Sequence, residues 1–298
     1  MLRKNIIILL LIIAVVSFVL FKFAVLPATK LAPPKNEKLQ VFVSILPQKF
    51  FVEKIGGDLV EVSVLVGPGQ SPATYEPLPK QMSSLAEAVL YFRIGVPFEI
   101  VWHERIRSLN PNLEIIDTRE GIPLRKIEGS VSKNSDEGVK DPHIWLDPIL
   151  VKIQAETICT QLVSKDPENK TFYRANLAQF QKELDELYVD LKTSFDSLPV
   201  NKLMVFHPAW GYLFDRYGLV QIPIEVEGKE PTPRELTRLV ELAKRENIKV
   251  IFIEEQFHTS SAVSIADSIG GKVVKLDPLA ENYYENLRQI AQIIKGEH

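Results

Sequence analysis

The chain has 298 residues, and Lys+Arg 35 against Asp+Glu 38 gives a formal net charge of −3, so no global positive field is available to hold a nucleic-acid backbone. Hydrophobic residues at 46% and charged residues at 24% are the balance of a folded globular chain, long enough for one large domain or two ordinary ones. The lone cysteine, Cys159, excludes an internal disulfide framework, a cysteine zinc cluster and an iron–sulfur site.

Arg3 and Lys4 precede an apolar run from Ile6 to Leu26 that is broken only by Ser17 and Lys22. A short basic stretch before such a run is the pattern of a secretory signal or a membrane anchor. The run is long enough to cross a ~30 Å hydrocarbon layer, and no small-x-small cleavage site follows it. An uncleaved anchor is therefore preferred over a cleaved signal for residues 1–26. Arg3 and Lys4 place the short end in the cytoplasm and the remainder outside. No cysteine stands near residue 25, which excludes lipid attachment there. Residues 27–38 (PATKLAPPKNEK) read as an extended linker.

The body alternates strands with helices. Short β-branched runs predict strands at 39–46, 60–66 and 89–92, with helical character at 49–55 and 79–88. Residues 125–140 are polar and Gly/Ser-containing, the composition of a surface loop. A helix is predicted at 149–163. From 168 to about 198, Phe172, Leu177, Phe180, Leu184, Leu187, Leu191 and Phe195 recur at helical spacing. Such a helix spans roughly 40–45 Å, the width of a domain, and reads as a rigid connector. Strands follow at 202–206, 249–253 and 272–276, separated by helices such as 233–246. The alternation predicts an α/β protein of parallel sheets flanked by helices. The expected layout is an amino-terminal lobe over 39–165, a connecting helix over 166–199 and a carboxyl-terminal lobe over 200–298.

Chemistry gathers at the strand ends. One predicted strand runs into His207-Pro208, another into Glu254-Glu255 and a third into Asp277-Pro278. In open α/β sheets the ligand crevice lies outside the carboxyl ends of the strands. The first half offers Asp141-Pro142-His143-Ile144-Trp145-Leu146-Asp147-Pro148, with His143 in a proline-bounded loop and Asp147 as a helix N-cap. Two histidines and a carboxylate without a nearby cysteine suit zinc or another borderline divalent ion. Each residue also has an ordinary structural reading. His143 and His207 suit hydrogen bonding at X-Pro turns, Asp277 suits a helix cap, and Glu254 and Glu255 suit solvated loop charges. His103 and His258 are expected on surfaces.

Four segments carry a family resemblance. They are Leu65 to Pro77 (LVGPGQSPATYEP), DPHIWLDP at 141–148, VFHPAWGYLFDRYGL at 205–219, and FIEEQF with KLDPLA at 252–257 and 275–280. Together they resemble the zinc/manganese solute-binding proteins of ABC transporters over about residues 39–295. The resemblance implies two α/β lobes joined by a long rigid helix, with a divalent ion held between them. It implies His143, His207 and Asp277 as metal ligands and delivery of the ion, outside the cytoplasmic membrane, to an integral-membrane permease. It implies no enzymatic turnover, no nucleic acid and a monomer. Asp141, Tyr75 and Trp145 are expected around the ligands, orienting the imidazoles or lowering the local dielectric. Zinc is favoured over manganese, because His207 stands where manganese-type members tend to carry a carboxylate.

One departure is chemical. The family pattern has a metal-binding histidine before Thr-Tyr-Glu-Pro, and here that residue is Ala73, which cannot coordinate. The histidine-rich loop of many zinc members is also missing from 125–140. Three readings follow. Water fills the fourth position; or another residue does, Glu254 or Glu255 ahead of Glu225, Glu227 and His103; or the site is degenerate and binds weakly or takes something else, such as a chelated metal in a cleft enlarged by Ala73. Two other classes stay open: a metal-dependent hydrolase with an open three-ligand zinc site and Glu254 or Glu255 as general base, and an anchored adhesin with a vestigial site.

Overall fold

The structure, a computed structural model, describes residues 38–128, 140–225, 228–257 and 260–298. The expected anchor at 1–26, the linker up to residue 37, His258 and Glu227 lie outside the described residues. Among the described residues no helix is long and apolar enough to cross a membrane.

The first half lays down β1 (Leu39–Ile45), α1 (Leu46–Gly56), β2 (Val60–Val66), α2 (Pro79–Leu85), β3 (Leu90–Arg93), α3 (Pro97–Leu109) and β4 (Glu114–Asp117). Proline at the first turn of α1, α2 and α3 occupies a position whose N–H has no intrahelical acceptor. The four strands form a parallel sheet in the order β2-β1-β3-β4. After α4 (Pro148–Lys165) and α5 (Lys170–Phe195), the second half gives β5 (Lys202–Val205), α6 (Gly211–Arg216), β6 (Val220–Pro223), α7 (Pro233–Arg245), β7 (Val250–Ile253), α8 (Ser260–Ile269), β8 (Lys272–Lys275) and α9 (Tyr283–Gly296). Its sheet is also parallel and repeats the topology, β6-β5-β7-β8. The α/β reading with two helix-flanked parallel sheets and a long helix between them is what the molecule shows. The sequence pattern passed over β4, β6, α3, α6 and α9; β4 and β6 are four-residue edge strands, too short for alternation to register.

The long helix is slightly shorter than the pattern suggests, because Pro167–Asn169 forms a separate 3₁₀ turn before it. Its buried stripe is Tyr173, Leu177, Phe180, Leu184, Leu187, Leu191 and Phe195. Tyr173 takes the inward place expected for Phe172, and its hydroxyl donates to Asp166 Oδ2 at 2.8 Å. Against this stripe, α1 from the first half meets α9 from the second. Phe51 and Tyr283 pack edge to face with centroids 4.9 Å apart, and Phe50 and Tyr284 do the same at 4.9 Å. One continuous hydrophobic core therefore runs from Val41 and Phe92 to Phe252 and Leu287. Such a seam opposes a wide hinge, since opening it would expose large aromatic surfaces.

Polar clamps cross the same boundary near the sheet ends. The Tyr212 hydroxyl donates to Asp141 O at 3.0 Å and accepts from Arg125 N at 3.0 Å. Trp145 Nε1 donates to Pro278 O at 2.8 Å. Asp147, buried, caps α4 through Ile149 N and receives both Nε and Nη2 of Arg216 on Oδ2, at 2.9 and 2.7 Å. Replacing Asp147 with alanine removes the cap and strands the guanidinium in one step. The expected cost is about 2–3 kcal/mol, a lost cap plus a weakened ion pair whose guanidinium is one-third exposed, read as a lower urea midpoint with an unchanged slope.

Candidate metal centre

The carboxyl ends of both sheets face one cavity of about 270 Å³. From the first half come Ser71–Ala73 after β2, Gly95–Pro97 after β3 and Arg119 after β4; from the second come His207 after β5 and Gln256 and Phe257 after β7. His143 enters from the loop before the 3₁₀ turn Ile144–Leu146.

Both imidazoles are fixed from behind. Asp141, fully buried, accepts from His143 N at 3.0 Å and lies 2.7 Å from His143 Nδ1. Glu225, also buried, receives His207 Nδ1 on Oε1. A carboxylate accepts and cannot donate, so each Nδ1 carries a proton and each ring turns its Nε2 outward. Those two Nε2 atoms stand 3.2 Å apart. The rings meet nearly edge to face, 5.0 Å between centroids at 73°. Trp145 packs 5.0 Å from the His143 ring, and Phe257 stacks on His207 at 4.6 Å. Two lone pairs aimed at each other over 3.2 Å repel unless a proton or a metal cation lies between them. The edge of a tetrahedron with Zn–N bonds of about 2.0–2.1 Å is ~3.3 Å, so the spacing fits two ligands of one ion.

Residues 41–296 match the family described as ZnuA, the periplasmic component A of the zinc-uptake complex. The chain belongs to this family. The high-affinity zinc uptake system protein ZnuA of Bacillus subtilis (strain 168) is 29% identical over 259 residues, covering 83% of this chain and 81% of that one. The manganese ABC transporter substrate-binding lipoprotein PsaA of Streptococcus pneumoniae is 30% identical over 252 residues, covering 80% and 79%. A crystal structure of a ZnuA deletion mutant with zinc bound superimposes with a TM-score of 0.82 at 46% identity, covering 88% of this chain and 98% of that one.

Within this ZnuA-family fold, the structure brings together two of the three sequence-derived ligands. The expected set of His143, His207 and Asp277 is not assembled: among the described residues, no three His, Cys, Asp or Glu side chains are grouped as a metal requires. Asp277 stands at its strand end, but its Oδ1 accepts from Leu279 N at 2.9 Å and from Gln256 Nε2 at 3.3 Å. A carboxylate held this way stabilises the turn after β8. Glu254, the expected substitute for the fourth ligand, is engaged by hydrogen bonds as well. It is 1% exposed, and its two oxygens accept from Trp210 Nε1 at 2.8 Å and His207 N at 3.3 Å. Burial pushes its carboxyl up to about 7, against the pull of His207 and the Trp210 donor. Its work is to seat the loop that carries His207. Glu255 turns to the surface and pairs with Lys275 at 3.0 Å. Tyr75 leaves the cavity altogether, donating to Gln81 Oε1 at 2.5 Å and packing on Phe98 at 5.2 Å. His103 bonds Glu104 on α3. Ala73 lines the cavity, where its methyl group offers no donor.

Sequence reasoning weighed Glu225 only as a substitute ligand, yet the structure gives it the same backing role for His207 that Asp141 has for His143. Arg119, Lys140 and Gln256 also line the cavity and went unremarked. Arg119 follows the undetected edge strand β4, so no strand end drew attention to it, and the undetected β6 left the backing role of Glu225 unread. Gln256 lay in view, two residues after Glu254 in the quoted motif.

Proposed function

We propose that this chain captures a divalent ion, zinc in preference to manganese, outside the cytoplasmic membrane and delivers it to the permease of an ABC transporter. The observation that carries this reading is the pair of carboxylate-backed imidazoles whose Nε2 atoms face each other at 3.2 Å. His143 and His207 are the primary ligands. Asp277 is the third, reached when its loop releases Gln256. Two nitrogen ligands favour zinc over the oxygen-seeking manganese. The ion is cargo, bound and released without turnover. Glu254, with both oxygens engaged, is not placed to act as the base of a hydrolase. The described body acts as a monomer, with residues 39–165 and 200–298 as lobes on the connecting segment 166–199, and residues 1–26 either tether it to the membrane or direct its export.

Calorimetric titration of the full chain with zinc and with manganese tests the reading. One zinc per chain is expected, tighter than manganese, with protons released and affinity falling on acidification because protons compete for the imidazole nitrogens. No binding heat and an unchanged melting temperature in excess zinc would overturn it, since a ligand of the folded state must stabilise that state.

A further inference from the structure

We propose that the cavity takes the divalent ion together with a small α-hydroxy- or α-amino-carboxylate chelator, which fills the coordination position that Ala73 leaves open. The inference rests on the metal-binding reading above. Three observations carry it.

The first is space. A water occupies ~30 Å³, so an ion held by His143, His207 and Asp277 and completed by one water would leave most of a cavity of about 270 Å³ unfilled. A molecule of several heavy atoms fits in the remainder, alongside Ala73.

The second is charge. Among the described residues the lining includes Arg119 and Lys140 and no aspartate or glutamate. The carboxylates near the site, Asp141, Glu225, Glu254 and Asp277, stand behind the imidazoles or in the wall. These two cationic groups give an anion that arrives with the dication a place to dock. Arg119 is built into place: Asp117 holds its Nε at 2.9 Å and its Nη2 at 2.6 Å. Nη1 sits over Gly95, where a Cβ would come within 1.9 Å of it. Gly95 also has φ +87°, a left-handed conformation in which any side chain is strained. Buried Glu99 accepts from Gly95 N at 2.7 Å and Ile94 N at 2.8 Å, fixing that turn. The guanidinium edge left over by Asp117 is thus held at the cavity wall, the geometry in which arginine recognises carboxylates.

The third is an unmet acceptor. Only the amide nitrogen of Gln256 can donate to Asp277 Oδ1, which fixes the orientation of the amide. Its Oε1 is buried and has no hydrogen-bond partner among the described residues. Gln256 lines the cavity, so once Asp277 releases its amide a turn of the side chain brings this oxygen to a hydroxyl or amine on the chelator. A carboxylate for Arg119 and Lys140, a hydroxyl or amine for Gln256 and two donor atoms for the ion together define the ligand class.

Radiolabelled citrate and L-histidine, each with and without zinc, are the probes, and retention by the full chain in equilibrium dialysis is the readout. One molecule of at least one probe should be retained per chain, only when zinc is present. Arg119→Gln and, as a surface substitution that spares the Asp117 pair, Lys140→Gln should each lower its affinity by at least tenfold. If zinc binds one to one and neither probe is retained, the chelator inference falls and the metal-binding reading stands. If zinc does not bind, both fall. Retention of a probe without zinc, or retention unaltered in both variants, would also overturn the inference.

Discussion

Alanine at position 207 is expected to abolish the rise in melting temperature that zinc produces in the parent chain. A structural zinc with four ligands is worth about 10–16 kcal/mol, so one ligand carries about 2.5–4 kcal/mol and its removal weakens binding roughly 70- to 900-fold. At a zinc concentration of 100 times the parent dissociation constant, the parent gains about 2.7 kcal/mol, equivalent to roughly 5–10 °C, and the variant gains almost nothing. His207→Ala also leaves the buried Glu225 carboxylate without its ring partner and removes the stack on Phe257. The metal-free variant therefore melts lower than the metal-free parent. Comparing each protein with and without zinc separates this cost from the lost coordination. His143→Ala should behave alike, stranding Asp141. If either variant keeps the full zinc-induced shift, the two imidazoles do not share an ion.

The parts of this arrangement that could be read without coordinates share a physical feature. Strands β1 and β2 are seven residues long and apolar, and α5 carries a stripe repeated over many turns, so periodicity alone finds them. His207, Glu254 and Asp277 declare themselves because each follows an apolar run directly, and proline marks the start of the next segment at two of them. What sequence could not supply is where a side chain is spent once it arrives. Glu254 and Asp277 are at the predicted strand ends, but hydrogen bonds from Trp210 and His207 engage both oxygens of Glu254, and Leu279 N and Gln256 take Oδ1 of Asp277. The competition between a backbone donor and a metal ion for one carboxylate is tertiary and leaves no local mark. Edge strands β4 and β6 show the complementary failure. Four residues, partly exposed and each paired on one side only, carry too little pattern, and their loss concealed Arg119 and the backing role of Glu225.

Restoring histidine at position 73 should tighten zinc binding by about 100-fold, or ~3 kcal/mol for one added imidazole. The backbone around Ala73 is held without help from its side chain: Phe98 N donates to Pro72 O at 3.3 Å, Ala73 N donates to Ser71 Oγ at 3.3 Å, and Tyr75 is anchored on Gln81. Its φ is not positive, so a larger side chain meets no backbone strain there. The loop already faces the cavity shared by His143 and His207, and the new ring needs only to rotate inward. Because imidazole suits zinc better than manganese, the gain should be larger for zinc, and selectivity should rise with affinity. The same ring would occupy the coordination position assigned to the carboxylate chelator, so zinc-dependent citrate or histidine retention should fall as zinc affinity rises. An Ala73→His protein that melts like the parent, binds zinc no more tightly and retains the chelator unchanged would show that this loop faces a different part of the cavity from the ion.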